Sequence, residues 1–206
     1  LVAGTRGQGN AGTIQVNATD FFTITGNNDN STGLFVTSQS QTGTAGDIIV
    51  TSPKITLDRG GAIDATSASG KGGNIKIGGK LPAQSTDLLL LRRGGRISTD
   101  AGGTAQVGDN GGNIDINSQL IVAIPKENSD ITATAIKGRG GNINIDSKGL
   151  FGIQSRPLRT DNSDITASSE LNQQGTVNVN TPRTDPGKDS TTLPTVPTDA
   201  SNQIAQ

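Results

Sequence analysis

Two aspartates hold the same place in a phrase that the chain contains twice. NSDITA occurs at 128–133 and at 162–167, so Asp130 and Asp164 are equivalent positions. Two carboxylates that face one cleft can act as general acid and base on a glycosidic bond. Proteins that cleave polysaccharide generally add aromatic platforms for the sugar rings, whereas this chain has 4 phenylalanines, most of them expected to point inward. We therefore interpret the two aspartates as corner caps, with glycan cleavage as the alternative.

The densest basic cluster lies in LLLLRRGGR at 88–96 and contains Arg92, Arg93 and Arg96. Guanidinium groups bind phosphate or carboxylate through paired N–H donors, so this cluster is a candidate contact for an anion or a glycan. Arginines of this kind more often form a solvated corner, and that interpretation stays open beside the first.

Metal and cofactor sites are not expected from the sequence. Asp109 and Asn110 stand between Gly108 and Gly111, but the ordered acidic ladder or the fixed spacing of a calcium loop is missing. The glycine pairs are not followed by the Gly-Lys-Ser/Thr of a phosphate-binding loop. We predict turns at these positions, with no metal, no cofactor and no catalytic residue.

Composition narrows the chemistry further. Cysteine and histidine are absent, which excludes thiol chemistry and histidine acid–base catalysis within these 206 residues. The 17 basic and 18 acidic residues nearly balance, so net charge gives no footprint for nucleic acid. The longest apolar runs, 88–91 and 120–124, are far shorter than the roughly 20 residues of a transmembrane helix. We expect no enzyme, no nucleic-acid partner and no transmembrane segment.

A repeating fold has to position these residues, and the repeat is visible in the sequence. GGNIKI (72–77), GGNIDI (111–116) and GGNINI (140–145) differ only at the fifth position, and weaker copies surround them. The first apolar residues of the copies are separated by 27 to 39 residues, a period typical of solenoids. These residues are Ile14, Ile48, Ile75, Ile114, Ile143 and Val177.

Two further apolar stretches follow most copies of the phrase. The second stretch is Phe22 with Ile24, Ile55 with Leu57, Leu89 with Leu91, Val122 with Ile124, and Phe151 with Ile153. The third contains Leu34, Ile63, Ile97, Ile131 and Ile165. Three short strands per repeat, each with period-two alternation, predict an all-β fold, a right-handed parallel β-helix of about five to six coils.

Each position of the repeated phrase has an expected role. The isoleucines should point inward and stack in one column, while the fifth position faces solvent. The asparagines should either stack on one another or adopt left-handed backbone geometry. The paired glycines should turn tight corners in conformations closed to other residues. The predicted structural ladder consists of Asn74, Asn113, Asn142, Ile75, Ile114 and Ile143.

The chain divides into two parts on this reading. Residues 1–180 are predicted to form the β-helix, as a fragment of a longer solenoid, because the chain begins as though inside a repeat. Residues 181–206 are rich in proline and threonine and show no alternation, so we predict an extended linker or tail there.

With the coils aligned, the chain resembles a known family. The GGNIxI phrases, residues 140–182 (GGNINIDSKGLFGIQSRPLRTDNSDITASSELNQQGTVNVNTP) and the closing DASNQIAQ are similar to the C-terminal region of filamentous-haemagglutinin-like exoproteins, which are common in cyanobacteria. The resemblance implies two-partner secretion, in which a long β-helix passes through an outer-membrane pore. It also implies a secreted, cell-surface adhesin or sheath component and offers no catalytic residues to carry over.

Residues and resemblance together predict a structural or adhesive extracellular filament protein. The alternative is a polysaccharide-binding or polysaccharide-cleaving β-helix protein. Because the open ends of a β-helix expose unpaired backbone and apolar side chains, we expect copies to associate end to end or laterally. The expected partners are further copies of the chain, the outer-membrane pore that the resemblance implies and, for the alternative, a surface polysaccharide.

Overall fold

The chain is an all-β parallel solenoid of about five turns, which confirms the predicted fold class. The structure, a computed structural model, describes residues 1–7, 9–27, 31–39, 43–68, 70–79, 84–102 and 109–182. The described part contains no α-helix and includes a 3-10 helix at Pro125–Glu127. None of its helical turns is long or apolar enough to span a membrane.

The strands are short and follow one another in a fixed cycle. In chain order they are β1 (Ile14–Asn17), β2 (Phe21–Thr25), β3 (Gly33–Phe35), β4 (Asp47–Thr51), β5 (Lys54–Asp58), β6 (Ala62–Asp64), β7 (Asn74–Ile77), β8 (Thr86–Leu91), β9 (Arg96–Ser98), β10 (Asn113–Ala123), β11 (Ile131–Thr132), β12 (Asn142–Phe151), β13 (Gln154–Ser155), β14 (Asp164–Thr166) and β15 (Thr176–Asn180). The first, second and third strand of each turn stack on their equivalents in the next turn.

The long strands β10 and β12 join the first and second positions of the turn. Strand β10 pairs with β7 through its first half and with β8 through its second half, so the first two positions share a 9-stranded sheet. The third-position strands form a separate 6-stranded sheet, and the pairing of strands in both sheets is parallel. The right-handed sense of the coil, expected from the usual hand of parallel crossovers, stays a prediction.

The isoleucine column predicted from the repeat is present in the core. Successive turns place Ile14, Ile48, Ile75, Ile114, Ile143 and Val177 directly over one another. The isoleucines of this column are at most 4% exposed. Burial of one such side chain is worth about 1.5–3 kcal/mol. The fifth-position residues Lys76, Asp115 and Asn144 are exposed, as predicted.

The prediction for the second position of β10 and β12 is wrong by one residue. Ile121 and Leu150 align with the buried Leu89, whereas the sequence suggested Val122 and Phe151. Ile121 is fully buried, and Phe151 is 57% exposed. A one-residue slip moves every side chain of a strand to its other face, so the outward face of these strands differs from the expected one.

The corner between the two positions explains this error. The side chains of Gln119 and Leu120 both point outward, between the buried Ser118 and Ile121. Two consecutive outward residues shift the inward–outward alternation by one residue at that corner. The number of residues from Ile114 to Ile121 is therefore the same as the number from Ile48 to Ile55. The apolar run LIVAI is compatible with either register, and the sequence alone does not distinguish them.

Phe151, which was expected to point inward, faces solvent instead, and Phe21 is exposed as well. Phe21 is 64% and Phe151 57% exposed, while Phe22 and Phe35 are partly buried. Gly152 follows Phe151 with a φ of 70°, a left-handed conformation that breaks the period-two alternation. The next residue, Ile153, consequently returns to the core and is 3% exposed.

A further column of small residues closes each turn after the third strand. Bridges connect Thr5, Ser38, Ser67, Ala101, Ala135 and Ser169 in sequence from turn to turn. From Ser38 onward these side chains are at most 4% exposed. Large residues would not fit at such a corner, which explains why the position holds only threonine, serine or alanine in these turns and gives no hydrophobic signal in the sequence.

Strand β13 covers the outer edge of the third-position sheet. It pairs with β14, and Arg156 donates its backbone N–H to the carbonyl of Ile165 at 3.1 Å. Pro157 follows and has no backbone N–H to offer a further strand. An edge that ends in this way is protected against pairing with another chain. The loop at 156–162 follows this capping strand directly.

The predicted tail lies almost entirely outside the described residues. The structure describes Thr181 and Pro182 of the segment 181–206, and the remainder, 183–206, is not described. Strand β15 ends at Asn180, and the division of the chain at residue 180 stays a prediction.

Candidate functional site

The paired glycines form the floor of a groove that runs across the turns. A Cβ atom on Gly112 would lie 1.7 Å from the carbonyl oxygen of Gly73, and one on Gly141 would lie 1.9 Å from that of Gly112. These carbonyls accept the backbone N–H of the next turn, as Asn142 donates to Gly112 at 3.2 Å. Glycine is required here because adjacent turns approach too closely for any side chain.

The predicted reason for these glycines is therefore wrong. Among the described glycines, positive φ angles occur at Gly60, Gly78, Gly94 and Gly152, and none of these belongs to a GGN phrase. The asparagines of the phrase are also outside the left-handed region, which excludes the second of their two expected roles. The corner is ordinary in backbone conformation and unusual in how closely its turns pack.

The asparagines stack into a hydrogen-bonded ladder along one wall of the groove. Asn113 donates its side-chain N–H to Oδ1 of Asn74 at 2.8 Å, and Asn142 donates to Asn113 at 2.9 Å. Asn74 donates in turn to Asp47 Oδ1 at 2.8 Å. Each primary amide has two N–H donors, so the ladder uses one and leaves one directed elsewhere.

The groove has a volume of roughly 570 Å³ and spans five turns. Its opposite wall carries two amides whose oxygens accept backbone N–H groups: Asn10 from Thr44 at 3.0 Å, and Asn110 from Arg139 at 2.8 Å. The exposed cations Lys71 and Arg139 line it as well. The lining is thus composed of glycine backbone, amides, alanine and threonine residues, two positive charges and the carboxylate of Asp47.

A second polar ladder, which sequence reasoning missed, lies on the same outward face two residues further on. Asn144 donates to Asp115 Oδ1 at 3.0 Å, and Asn178 donates to Asn144 at 3.1 Å. Asn180 donates to Asp146 at 3.0 Å in the next column. The first-position strands therefore present parallel rows of amides that bond along the solenoid axis. We call this surface the amide face. The alternating polar letters NINID and NVN were the available signal.

The three arginines of the basic cluster are each paired with a carboxylate of another turn. Arg92 binds Glu127 through two N–H donors, Nε at 2.7 Å and Nη2 at 2.9 Å. Arg96 donates to Asp64 at 2.7 Å, and Arg93 binds Asp58. The hydrogen bond from Arg92 lowers the pKa of Glu127 to about 2.

These pairs change what the basic cluster can do. A guanidinium that already holds a carboxylate has fewer donors to offer an incoming anion, although Arg93 keeps 45% of its side chain exposed. A concavity of roughly 310 Å³ beside Arg93, Arg96 and Arg159 also contains Glu127 and Asp130. The carboxylates within it offset the arginine charges, so the cluster joins neighbouring turns and provides a mixed-charge surface.

Asp130 is buried, and both of its carboxylate oxygens accept hydrogen bonds. Its Oδ1 accepts the backbone N–H of Asp164 at 3.0 Å, and its Oδ2 accepts Nη2 of Arg159 at 2.8 Å. The side chain is 4% exposed. Burial raises the pKa of Asp130 above its ordinary value, and the hydrogen bonds from Asp164 and Arg159 oppose that shift. The carboxylate links one turn to the next.

Asp164 is more deeply enclosed than its equivalent. Its Oδ1 pairs with Arg156, and its Oδ2 accepts the backbone N–H and the hydroxyl of Thr160 at 2.5 and 2.8 Å. Its side chain has no exposed surface. These contacts fix the loop that returns from β13 to β14, which corresponds to the predicted capping role.

No cluster that could hold a metal ion occurs in the part of the chain that the structure describes. Asp109 and Asn110 lie in the described segment, and Asn110 serves the backbone of the next turn. Gly108, their predicted neighbour in a turn, lies outside the described residues.

The structure brings the ladder residues together and separates them from the arginines. Asn74, Asn113 and Asn142 line the groove, while Ile75, Ile114 and Ile143 stack behind it in the core. Arg92, Arg93 and Arg96 lie at the other end of the second-position strands. No protein-family model, no curated protein and no solved structure matches this chain.

Proposed function

We propose that this chain is a structural and adhesive segment of an extracellular filament or sheath on the cell surface, and that it is not an enzyme. One observation carries the proposal: hydrogen bonds continue from turn to turn through side chains as well as backbone, in the rows of the amide face. Such rows contribute stiffness along the axis and can be extended without limit by adding turns.

The placement of the charged groups supports a structural role over a catalytic one. A general acid or base needs a carboxyl oxygen within reach of substrate. Asp130 and Asp164 have 4% and 0% exposed side chains, and each oxygen already accepts a hydrogen bond. The arginines of the corner are paired as well. These two aspartates and the paired arginines thus act between turns.

The finer form of this proposal follows from the resemblance to filamentous-haemagglutinin-like exoproteins. The phrases that carry the resemblance supply the floor and wall of the groove, so the residues quoted for it are those that the stacking of turns requires. On this proposal the chain reaches the cell surface by two-partner secretion through an outer-membrane pore and associates there with further copies of itself.

Antibody labelling of intact producing cells tests the location, and electron microscopy with light scattering of the purified chain tests the association. We expect labelled cell surfaces without permeabilisation and assemblies larger than a monomer that become more abundant as the concentration rises. Label found only after permeabilisation, or single monomers at every concentration, would contradict the proposal.

A polysaccharide-binding role is the second candidate, and the groove is the observation that favours it. Free amide donors and the cations Lys71 and Arg139 could contact the hydroxyl and carboxylate groups of an acidic glycan. The test is binding to a panel of acidic and neutral glycans, with Lys71→Ala combined with Arg139→Ala as the variant and Lys126→Ala as the control. New reducing ends that disappear in Asp130→Asn or Asp164→Asn would indicate cleavage and overturn the structural assignment.

A further inference from the structure

The second-position strands carry apolar side chains on their outward face. Leu88 and Leu120 lie in one outward column, and Leu90, Val122 and Phe151 lie in the next. Leu120 is 42% and Phe151 57% exposed, and the other three are partly buried. We call these five residues the leucine face. A contiguous group of exposed apolar side chains on a sheet usually marks a surface that binds another molecule.

We propose that two copies of this chain pair through their leucine faces, with their solenoid axes antiparallel. This inference rests on the proposed self-association and specifies the surface that produces it. A second copy is the partner because the charged side chains beside the leucine face of one copy complement those of another copy.

A polar column borders the leucine face at the corner before it. Asp87, Gln119 and Lys148 occupy equivalent positions in three successive turns. Gln119 donates to Asp87 at 3.0 Å, and Lys148 donates to Gln119 at 2.8 Å. The column therefore has a negative charge at one end, a neutral amide in the middle and a positive charge at the other end.

A two-fold axis along the strand direction at Gln119 makes this column self-complementary. Rotation about that axis reverses the order of the turns, so Asp87 of one copy meets Lys148 of the other, and Gln119 meets its own equivalent. The same operation places Leu120 against Leu120 and Phe151 against Leu90. Each contact between different residues therefore occurs twice, once in each direction, as in an isologous interface.

The size of the face sets the strength of the pairing. The rotation brings together the three turns that contain β8, β10 and β12, and three turns by one strand length bound the shared flat surface at roughly 250 Å² per copy. Stable interfaces bury about 800 Å² per partner, so this pairing belongs to the weak, transient class. The association is therefore expected to become visible only as the concentration rises.

Sedimentation velocity of the full chain from low micromolar to millimolar concentration tests the proposal. We expect a monomer–dimer equilibrium whose Kd rises at least about tenfold in Asp87→Lys or in Lys148→Asp, because like charges then face each other across the two-fold axis. The double variant Asp87→Lys with Lys148→Asp restores the original Kd to within about threefold. Asp161→Lys, an exposed aspartate in the 156–162 loop, is the matched control and leaves the Kd unchanged.

The apolar contacts are tested with Leu120→Thr combined with Phe151→Thr. Both residues point outward, so the variant keeps its circular dichroism spectrum and loses the dimer. Leu171→Thr removes another exposed leucine, 72% exposed and outside the face, and keeps the dimer. Equal Kd values for the two charge reversals and the control would overturn the antiparallel pairing.

The outcomes separate this inference from the proposed function. Assemblies that persist in both the charge-reversed and the threonine variants would refute the leucine face and leave the filament role intact. A wild-type chain that stays monomeric would refute both the pairing and the self-association. If that monomer also fails to take up an anilinonaphthalene sulfonate dye, another part of the same chain covers the face.

Discussion

The amide face and the leucine face belong to the same sheet, and both are built from strands stacked in register. They differ in whether their side chains find partners within the chain. On the amide face, Asn113 finds its partners one turn below and one turn above, within the same chain. On the leucine face, Phe151 and Leu120 stack on neighbours and still remain half exposed. One face bonds along the axis, and the other has apolar surface left over.

This difference separates two tasks within one repeat. Rows of amides that bond along the axis add cohesion between turns and need no second molecule, because water satisfies their remaining donors. Apolar side chains that face water gain from a lateral contact. In the proposed pairing, the first-position strands contribute cohesion along the axis, and the second-position strands supply the side through which copies associate.

The largest effect is expected where turns approach most closely, beneath the amide face. Gly112→Ala would place a Cβ atom 1.7 Å from the carbonyl oxygen of Gly73. The turns must separate to accept it, so we expect a loss of about 3 kcal/mol or more in the free energy of unfolding. Urea denaturation followed by circular dichroism measures the change.

Gly12→Ala is the matched control for that substitution. Gly12 occupies the equivalent position in the first described copy of the phrase, and a Cβ there meets only the Cβ of Ala3, at 3.8 Å. We expect a change within about 0.5 kcal/mol. Similar losses for the two alanine variants would show that backbone freedom, and not the approach of adjacent turns, selects glycine.

The next largest effect defines which side of β10 is the leucine face. Ile121→Ala should cost about 2–5 kcal/mol because Ile121 is fully buried in the core. Val122→Ala, one residue further along the same strand, should cost under about 1 kcal/mol because that side chain points outward. Chemical denaturation of both variants decides the register, and a larger loss at Val122 would exclude the leucine face as described.

The sequence specified the fold where its residues had one compatible environment. Ile75, Ile114 and Ile143 recur between polar neighbours, so period-two alternation placed them in the core correctly. It was ambiguous at Leu120 to Ile124, where every residue is apolar and both registers satisfy the pattern. The shift at Gln119 that selects one of them is a property of the corner and leaves no trace in composition.

The sequence identified the asparagines and glycines of the groove, but it did not give the physical reason for each of them. The three asparagines were identified as a stacking row, and the structure gives their hydrogen bonds. The glycines were identified too, but their reason is a contact between residues about 30–40 positions apart, which local conformational rules do not contain. The ion pairs of Arg92 and Arg96 likewise join different turns, so spacing along the chain could not assign them.

A smaller effect tests the independence of the two faces. Asn113→Ala removes two hydrogen bonds of the ladder, one to Asn74 and one from Asn142, whereas Asn142→Ala removes the single bond to Asn113. These amides are exposed, so each bond is worth about 0.5–1 kcal/mol and the first variant should lose about twice as much stability as the second. Neither variant should alter the dimer Kd. A change in association without a change in stability would mean that the amide face, too, contacts other copies.

The smallest effect concerns the corner where the leucine face ends, and it depends on pH. The folded-state pKa of Glu127, about 2, lies below the ordinary 4.5, because Arg92 holds the carboxylate. The stabilisation by this ion pair is therefore complete above about pH 4.5 and is lost as the pH falls toward 2.

Glu127→Gln should lower the melting temperature most at neutral pH. The difference in melting temperature from wild type should disappear as the pH falls from about 4.5 to about 2. Glu170→Gln, a change at an exposed glutamate, controls for the loss of charge itself. The raised pKa values of Asp64 and Asp130, both due first to burial, act in the opposite direction but are present in wild type and variant alike, so they cancel in the difference. A gap that stayed constant down to pH 2 would mean that the pair with Arg92 contributes nothing to the folded state.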